Sequence, residues 1–451
     1  PNGEEHFFNI LYEGNGAGQR VGKFVPFTDS GTIANSVIFN DADNAYLSRT
    51  NDAGDRTRVT ISFWVKRANV NSGNIHYIFT SYDGSSTNDG YIRFNTNNTI
   101  ATRIGSGSSH LYVTNRTFED TSKWYHIMLS VNTNDSTAAD RVKVYINGTQ
   151  ETLFNSPAYP NQDVDLPTGT SSYVHSIGYY THGGSSVFEG CMSHIHFTDG
   201  YAYQASTFGS TDATTGEWKI NTSPSVTYGT NGFFILKDGN SVTDQSGNSN
   251  NFTVGGGTLT KTEDCPSNVF CTLNPLSQDI SGYASGNAGV IDIQNGNTFG
   301  NKVTHGAYLG TIGVSSGKYY WEVKVGDTNQ AIGIVAMRPT GGVTYIYDDA
   351  TANLYYPYSD YYYTNGSAGS SGSGDFDNTS NKIYSFALDA TNNKLWIGRD
   401  GTFVGDPANG TGATWASLPT GHEWTPVMHS MSTSQNNYAY FNFGNGYFGT
   451  T

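Results

Sequence analysis

Hydrophobic and polar positions alternate with a period of two along much of this chain. In RVTISFWVKR, Val59, Ile61, Phe63 and Val65 share one parity, and Thr60, Ser62, Trp64 and Lys66 share the other. That is the pattern of a strand with one face on a core. KWYHIMLSVNT and DRVKVYINGTQ repeat it, and Asn147-Gly148 is a strong hairpin turn signal. SVIFNDADNAYLSRT reads as strand, turn, strand, with the turn on Asn40-Asp41-Ala42-Asp43-Asn44. EGCMSHIHFTDG and GTNGFFILKDG follow as later strands. Beyond Pro266 the clearest strands are KYYWEVKVG, AIGIVAM, KIYSFALDA, KLWIGRDG and NYAYFNFG. In the last of these, Tyr438, Tyr440 and Asn442 oppose Ala439, Phe441 and Phe443. No helical period persists beyond two turns, and AYQASTFGS is the best candidate for a short helix. The pattern predicts an all-β chain: two antiparallel β-sandwiches in series.

Between these strands the composition changes in ways that set boundaries. Residues 1–30 read as an N-terminal arm, glycine-rich from Gly14 to Gly22 and alternating only around Phe24 to Phe27, to which the resemblance given below assigns attachment. The first sandwich is expected over 31–256, including a return segment, and a linker over 257–265. Ser241 to Thr262 is rich in Gly, Ser, Asn and Thr. The second sandwich is expected over 266–451, interrupted by NGSAGSSGSGD, a flexible loop on composition.

Composition supports a folded β chain. Of 451 residues 54 are Gly, while charged and aromatic residues each make up 14%. Disordered chains show the reverse balance, poor in aromatics and rich in charge. The net charge is −15, with no Lys/Arg cluster. A nucleic-acid binder needs a cationic face to displace counterions, so DNA and RNA are disfavoured partners. No run of 18 apolar residues predicts a membrane span. The start, Pro1-Asn2-Gly3-Glu4-Glu5-His6, has neither the basic nor the apolar stretch of a signal peptide, and no initiator Met opens the chain. Three cysteines, Cys191, Cys265 and Cys271, argue against a disulfide scaffold, although Cys265 and Cys271 could pair across a tight turn. Synthesis in a reducing cytoplasm is expected.

Two resemblances add to this reading. The ordered series SVIFNDADNAYLSRT, TISFWVKRA, FEDTSKWYHIMLSVNT, ADRVKVYINGT and FEGCMSHIHFTDG resembles the laminin-G or concanavalin A-like lectin fold, a two-sheet jelly roll. ILYEGNGAGQRVGKFVPFTDSGTIANS and GEWKINTSPSVTYGTNGFFILKDGNSVTDQSGNSNNFTV are similar to segments that flank this jelly roll in virion proteins of marine tailed bacteriophages. SSGKYYWEVKV and FALDATNNKLWIGRDGTFVGDPANGTGA resemble the SPRY domain, another antiparallel sandwich. SNVFCTLNPL resembles the lead-in to such domains, with Cys271 where a small residue is expected. Both folds are scaffolds that host many functions. The combination implies a virion surface protein, an external tail fibre or appendage that binds host-surface glycan or receptor and a neighbouring virion protein of tail or capsid. It also implies a homo-oligomer, a trimer by analogy with phage fibres. Alternatives are a capsid decoration protein (head fibre) without a receptor role, and a glycan depolymerase.

Catalytic chemistry finds little support in the motifs. Glycosidases set two carboxylates about 5–5.5 Å or 6.5–9.5 Å apart, and on a jelly-roll strand such pairs recur at i, i+2. The E-x-D-x-E pattern is absent; the nearest items are Asp163/Asp165 in a predicted loop and Glu119/Asp120 before the Trp124 strand. No G-x-S-x-G signature appears. The chain is therefore read as a non-enzyme. His194 and His196 share a strand face at a spacing that suits a metal, but packing beside a sheet explains them as well. Asp41, Asp43 and Asn44 offer hard oxygen donors for calcium, the one cofactor considered, and equally the side chains of an Asx-rich turn. Asp89, Asp135 and Asp140 are weaker candidates of the same kind. Trp64, Trp124, Trp321 and Trp396 read as core.

The most unusual segment is YIYDDATANLYYPYSDYYYTNG, Tyr345 to Gly366, without Lys or Arg. Alternate side chains of a strand face opposite ways, so Tyr361, Tyr362 and Tyr363 cannot all point inward if extended. Exposed tyrosine offers a flat apolar face plus a hydroxyl at low conformational cost, which suits sugars and subunit interfaces alike. Tyr345, Tyr347, Tyr355, Tyr356, Tyr358, Asp360, Tyr361, Tyr362 and Tyr363 are thus candidates for glycan, receptor or subunit contact, against the alternative of plain packing.

Overall fold

The computed structural model describes residues 33–70, 73–84, 89–105, 111–155, 157–180, 186–279, 292–302, 306–339, 345–369, 375–431 and 437–445. The N-terminal arm lies outside them. Among the described residues there is no α-helix, and all strand pairs are antiparallel. The described chain divides into two compact units at Ser267/Asn268.

The first unit is a sandwich of two sheets. One runs, in spatial order, Thr149–Glu151, Val142–Ile146, Trp124–Asn132, Arg58–Arg67, Gly190–Asp199, Ser36–Phe39, Thr260–Thr262, and Phe233–Ile235 also pairs with Gly190–Asp199. The other runs Thr253–Gly256, Tyr46–Thr50, Val174–Ile177, His76–Tyr82, Gly90–Phe94, Thr99–Arg103, Leu111–Thr117. Val59, Ile61, Phe63 and Val65 meet Leu47, Ile92, Phe94 and Ile100 in one core. The predicted parity thus selects the inward face. The other parity is also buried, with Thr60, Ser62, Trp64 and Lys66 each 5% exposed or less. It is covered by the return segment, where the Thr60 hydroxyl donates to the Tyr201 carbonyl and Trp218 stacks on His126.

Two local expectations change. AYQASTFGS holds only a three-residue 3-10 turn, Ala205–Thr207, before the strand Gly209–Thr211. Stretch 257–265, read as a linker, carries the strand Thr260–Thr262, which pairs with Ser36–Ile38, and buries Asp264. Both Thr253–Gly256 and Thr260–Thr262 are edge strands, whose polar side chains hide the alternation. Cys191, Cys265 and Cys271 are buried and none forms a disulfide, in keeping with the reading of reduced thiols.

The second unit is again a two-sheet sandwich. One sheet runs Asp292–Gln294, Phe299–Lys302, Asn437–Asn442, Lys318–Val325, Lys382–Asp389, Lys394–Arg399, Thr402–Phe403. The other runs Gly306–Leu309, Trp424–Ser430, Gln330–Ala336, Asn353–Tyr356, Tyr361–Thr364, Ser367–Ala368. Trp321, Val323, Phe386 and Phe441 pack on Ile332, Ile334, Tyr355 and Met428 between them. Asn365-Gly366, at φ 49° and 76°, turns the chain into the two-residue strand Ser367–Ala368, so the low-complexity tract begins as sheet edge. Residues 370–374 of that tract lie outside the described residues.

Candidate functional site

The tyrosine stretch is built into the second sandwich as the strands Asn353–Tyr356 and Tyr361–Thr364 near one edge of a sheet, and the pleat divides the rings between two faces. Tyr355 and Tyr362 point to the core, where their rings lie 5.0 Å apart and Tyr355 meets Tyr384 at 5.5 Å. Leu354, Tyr356, Tyr361 and Tyr363 share the opposite face with Leu309, Ala331, Val335 and Val427. That face is apolar, and the chain folds back over it. Ile346 is buried there, and the Tyr345 and Tyr347 rings stack at 5.1 Å while Tyr347 packs on His429 at 5.0 Å and Tyr363 at 5.3 Å.

Burial ranks these residues. Tyr355 is fully buried, and desolvation together with Tyr384 and Asp360 pushes its phenol far above the ordinary range. The Tyr355 hydroxyl donates to Asp360 Oδ1 at 3.1 Å, and Asp360 itself takes a left-handed conformation that ends the turn Pro357–Ser359. Burial lifts the Tyr356 phenol to about 12. Tyr358 is different: it is 51% exposed at the tip of the hairpin between Asn353–Tyr356 and Tyr361–Thr364. Its backbone N–H donates to the Thr328 carbonyl, and its ring lies 6.0 Å from that of Tyr356. The Tyr356 hydroxyl donates to Asn329 Oδ1, and the Asn329 amide donates to Asp327. The tip therefore presents an exposed ring beside a half-exposed ring, an amide and a carboxylate. An apolar plate flanked by donors and acceptors can stack on the C–H face of a sugar while bonding its hydroxyls.

The calcium candidates form a turn. Asp41–Asp43 is a single 3-10 turn capped by the Asn40 side chain, and Asn44 closes it with φ 58°. Asp43 Oδ2 accepts from the Thr258 backbone N–H, and the Asp41 backbone N–H donates to Glu189. These carboxyl and backbone groups hold chain segments together. Among the described residues no three His, Cys, Asp or Glu side chains gather as a metal site.

His194 and His196 owe their placement to a β-bulge. The register of Gly190–Asp199 against Arg58–Arg67 shifts between Ser193 and His196, and His194 has φ 48°. Both imidazoles lie against Phe234, at 5.4 and 3.9 Å. The His196 Nδ1 bonds the Tyr228 hydroxyl. Burial lowers the His194 imidazole to about 3 and His196 well below its usual range, so both are neutral rings packed under the return segment. Of the carboxylates, Asp165 pairs with Arg56 at 3.0 Å, Asp163 sits in a left-handed turn, and Asp120 accepts from Ser122 and pairs with Lys123. Glu119 accepts from Asn98, Asp89 pairs with Arg103, Asp135 caps Thr137 and Asp140 pairs with Lys143.

A second aromatic surface escaped the reading of the sequence. In the first sandwich Tyr77, Tyr91 and Ala101 cluster away from the core with Leu111, Val113 and Tyr180. The Arg93 guanidinium lies 4.6 Å above the Tyr91 ring, Tyr77 and Tyr180 stack at 4.6 Å, and Asp89 accepts from Tyr180 while pairing with Arg103. The alternation of Tyr91 and Arg93 against Ile92 and Phe94 in GYIRF carried the signal. Tyr77 and Tyr91 are nearly closed off, at 5% and 7% exposure, so this surface is less open than the Tyr358 tip.

Comparison with known proteins bears mainly on the first sandwich. Residues 40–206 match the family model of the concanavalin A-like lectin/glucanases superfamily. No curated protein matches the chain. Among solved structures, the SPRY domain of human HERC1 is 20% identical with TM-score 0.26, over 34% of this chain and 92% of that one. The heptameric SAP-like pentraxin of Limulus polyphemus is 16% identical with TM-score 0.31, over 46% and 94%. Domains LG4-5 of the mouse laminin alpha1 chain are 7% identical with TM-score 0.32, over 94% and 93%. At such identities and TM-scores these likenesses carry no functional information.

Proposed function

We propose that this chain is a carbohydrate-binding virion surface protein, an external tail fibre or appendage of a tailed bacteriophage, that recognises a host-surface glycan without cleaving it. The observation that carries the glycan reading is the Tyr358 tip, an exposed aromatic ring set beside Tyr356, Asn329 and Asp327 at the turn of a hairpin. The lectin-type family match over residues 40–206 supports the same chemistry, while its description embraces lectins and glucanases alike. The phage assignment rests on the resemblance of the segments flanking the first sandwich. A neighbouring virion protein of tail or capsid and further copies of the chain, most simply a trimer, are the partners this reading requires.

The test uses purified full-length chain against cell-surface polysaccharides from a panel of marine bacteria. Saturable binding to at least one, without new reducing ends, supports the reading. New reducing ends make the chain a depolymerase. Immunogold labelling confined to capsids, with no binding to any cell or polysaccharide, makes it a decoration protein.

A further inference from the structure

Lysine is among the residues least often buried, yet Lys66 is 3% exposed on the parity of its strand that faces away from the core of the first sandwich. Its Nζ lies 2.6 Å from Asp264 Oδ2, and that carboxylate is equally buried. The two residues are 198 positions apart, Lys66 near the end of the strand Arg58–Arg67 and Asp264 just past the strand Thr260–Thr262. Every part of Asp264 is fixed. Its backbone N–H donates to the Thr262 hydroxyl, its carbonyl accepts from the Ser36 hydroxyl, and its Oδ1 accepts from the Trp124 indole at 2.9 Å. Cys191 pairs with Lys66 across the sheet, and Glu189, fully buried, immediately precedes that strand, Gly190–Asp199. The Cys191 thiol is pushed far up by burial and then by the Asp264 charge, with Lys66 acting in the opposite sense, which places all three groups in one dry pocket.

We infer that Lys66 and Asp264 are the two halves of an intramolecular isopeptide bond, formed after folding by condensation of the amine with the carboxyl group. Removing both charges from a dry pocket is favoured, because the attraction of a buried pair only partly offsets its desolvation. The chemistry closes within the pair. One proton passes from the ammonium to Oδ2, leaving a neutral amine beside a carboxylic acid. The nitrogen lone pair attacks Cγ, and the negative charge that develops on Oδ1 meets the indole N–H of Trp124. A second proton moves from nitrogen to Oδ2, the Cγ–Oδ2 bond breaks, and Oδ2 leaves as water. Of the three ammonium protons two depart with Oδ2 and one stays on the amide nitrogen. No oxidant, cofactor or outside proton is needed. Holding amine and carboxyl in contact supplies the drive, since well-oriented intramolecular pairs reach effective molarities of about 10⁵–10⁸ M. The bond would join a central strand to the segment through which the chain leaves this sandwich. A pull transmitted from the second unit would then stop at Asp264. This inference does not depend on the glycan reading.

The test is the intact mass of the purified full chain under denaturing conditions. The expected mass is one water below the sum of its residues, and proteolysis yields a branched peptide joining the Lys66 and Asp264 fragments. Lys66→Arg is expected to restore the full sequence mass. An unaltered wild-type mass overturns the proposal, and so does a lost water that maps to a succinimide at another aspartate. Both outcomes are read on the wild-type chain, so a variant that fails to fold leaves the decision intact.

Discussion

Each sandwich has one sheet whose outer face is covered by its own chain, and the two covers differ in how much polar chemistry they bury. In the first, the polar side chains of Thr60, Ser62, His126, Ser193 and Thr198 share the face with the apolar cluster of Met128, Tyr145, Ala205 and Phe208 beneath the return segment. Such a face can be buried only if each donor and acceptor is met. Ser62 bonds His126 Nε2 at 2.8 Å, the Trp218 indole donates to His126 Nδ1 at 3.0 Å, and Thr198 donates to the Tyr201 carbonyl. In the second, the face is apolar, and tyrosines cover it ring against ring, Tyr345 on Tyr347 and Tyr347 on Tyr363. The polar cover is a lock with one solution. The tyrosine cover leaves part of its surface at the rim, where Tyr358 emerges.

Four changes sharpen that contrast. The largest effect is expected at Tyr355, which belongs to the core. Tyr355→Ala removes a buried aromatic and should cost about 3–5 kcal/mol, read as a fall in the denaturant midpoint of the second sandwich. Next, Trp218→Ala should cost about 2–3 kcal/mol in the first sandwich, less than a fully buried tryptophan because Trp218 is only half-buried. If hydrogen exchange in the Arg58–Arg67 and Trp124–Asn132 strands stays unchanged in that variant, the return segment is not a lock.

Acid discriminates the covers next. His76, His126, His175 and His194 are lowered by burial to about 3 from 6.5, and all four belong to the first sandwich. A depressed histidine resists the proton in the folded state only. The stability it supports is complete above pH 6.5 and is lost as pH falls from 6.5 towards 3. Each contributes a slope of up to about 1.4 kcal/mol per pH unit in that window. Calorimetry of the full chain should therefore show the transition of the first sandwich moving to lower temperature between pH 6.5 and 4.5, ahead of the second. Parallel movement of both would contradict this. The smallest change in stability, within about 0.5 kcal/mol, is expected for Tyr358→Ser, whose ring is half-exposed.

Much of this fold was legible from residue order. RVTISFWVKR, KYYWEVKVG and NYAYFNFG have one face on a core, so their alternation survives in the letters. Edge strands such as Thr253–Gly256 carry polar and glycine residues on both parities, and nothing periodic marks them. The bulge at His194 was invisible for a related reason: one extra residue resets the parity that the reading depends on. The tyrosine stretch could be divided between two faces by the pleat, but which ring stays open depends on the backbone turn at Pro357–Ser359. The Lys66–Asp264 contact lies beyond any local pattern, since 198 positions separate its partners.

The glycan reading meets its most direct test at Tyr358. Binding of the full-length chain to bacterial surface polysaccharide is measured beside Tyr358→Ser, with folding of the variant checked by its unfolding transition. The account predicts that wild-type protein binds a polysaccharide of the panel and that the variant, equally stable, binds it at least about tenfold more weakly, the effect of losing one aromatic anchor. Equal binding by the two proteins would contradict it and return the tyrosine stretch to packing alone.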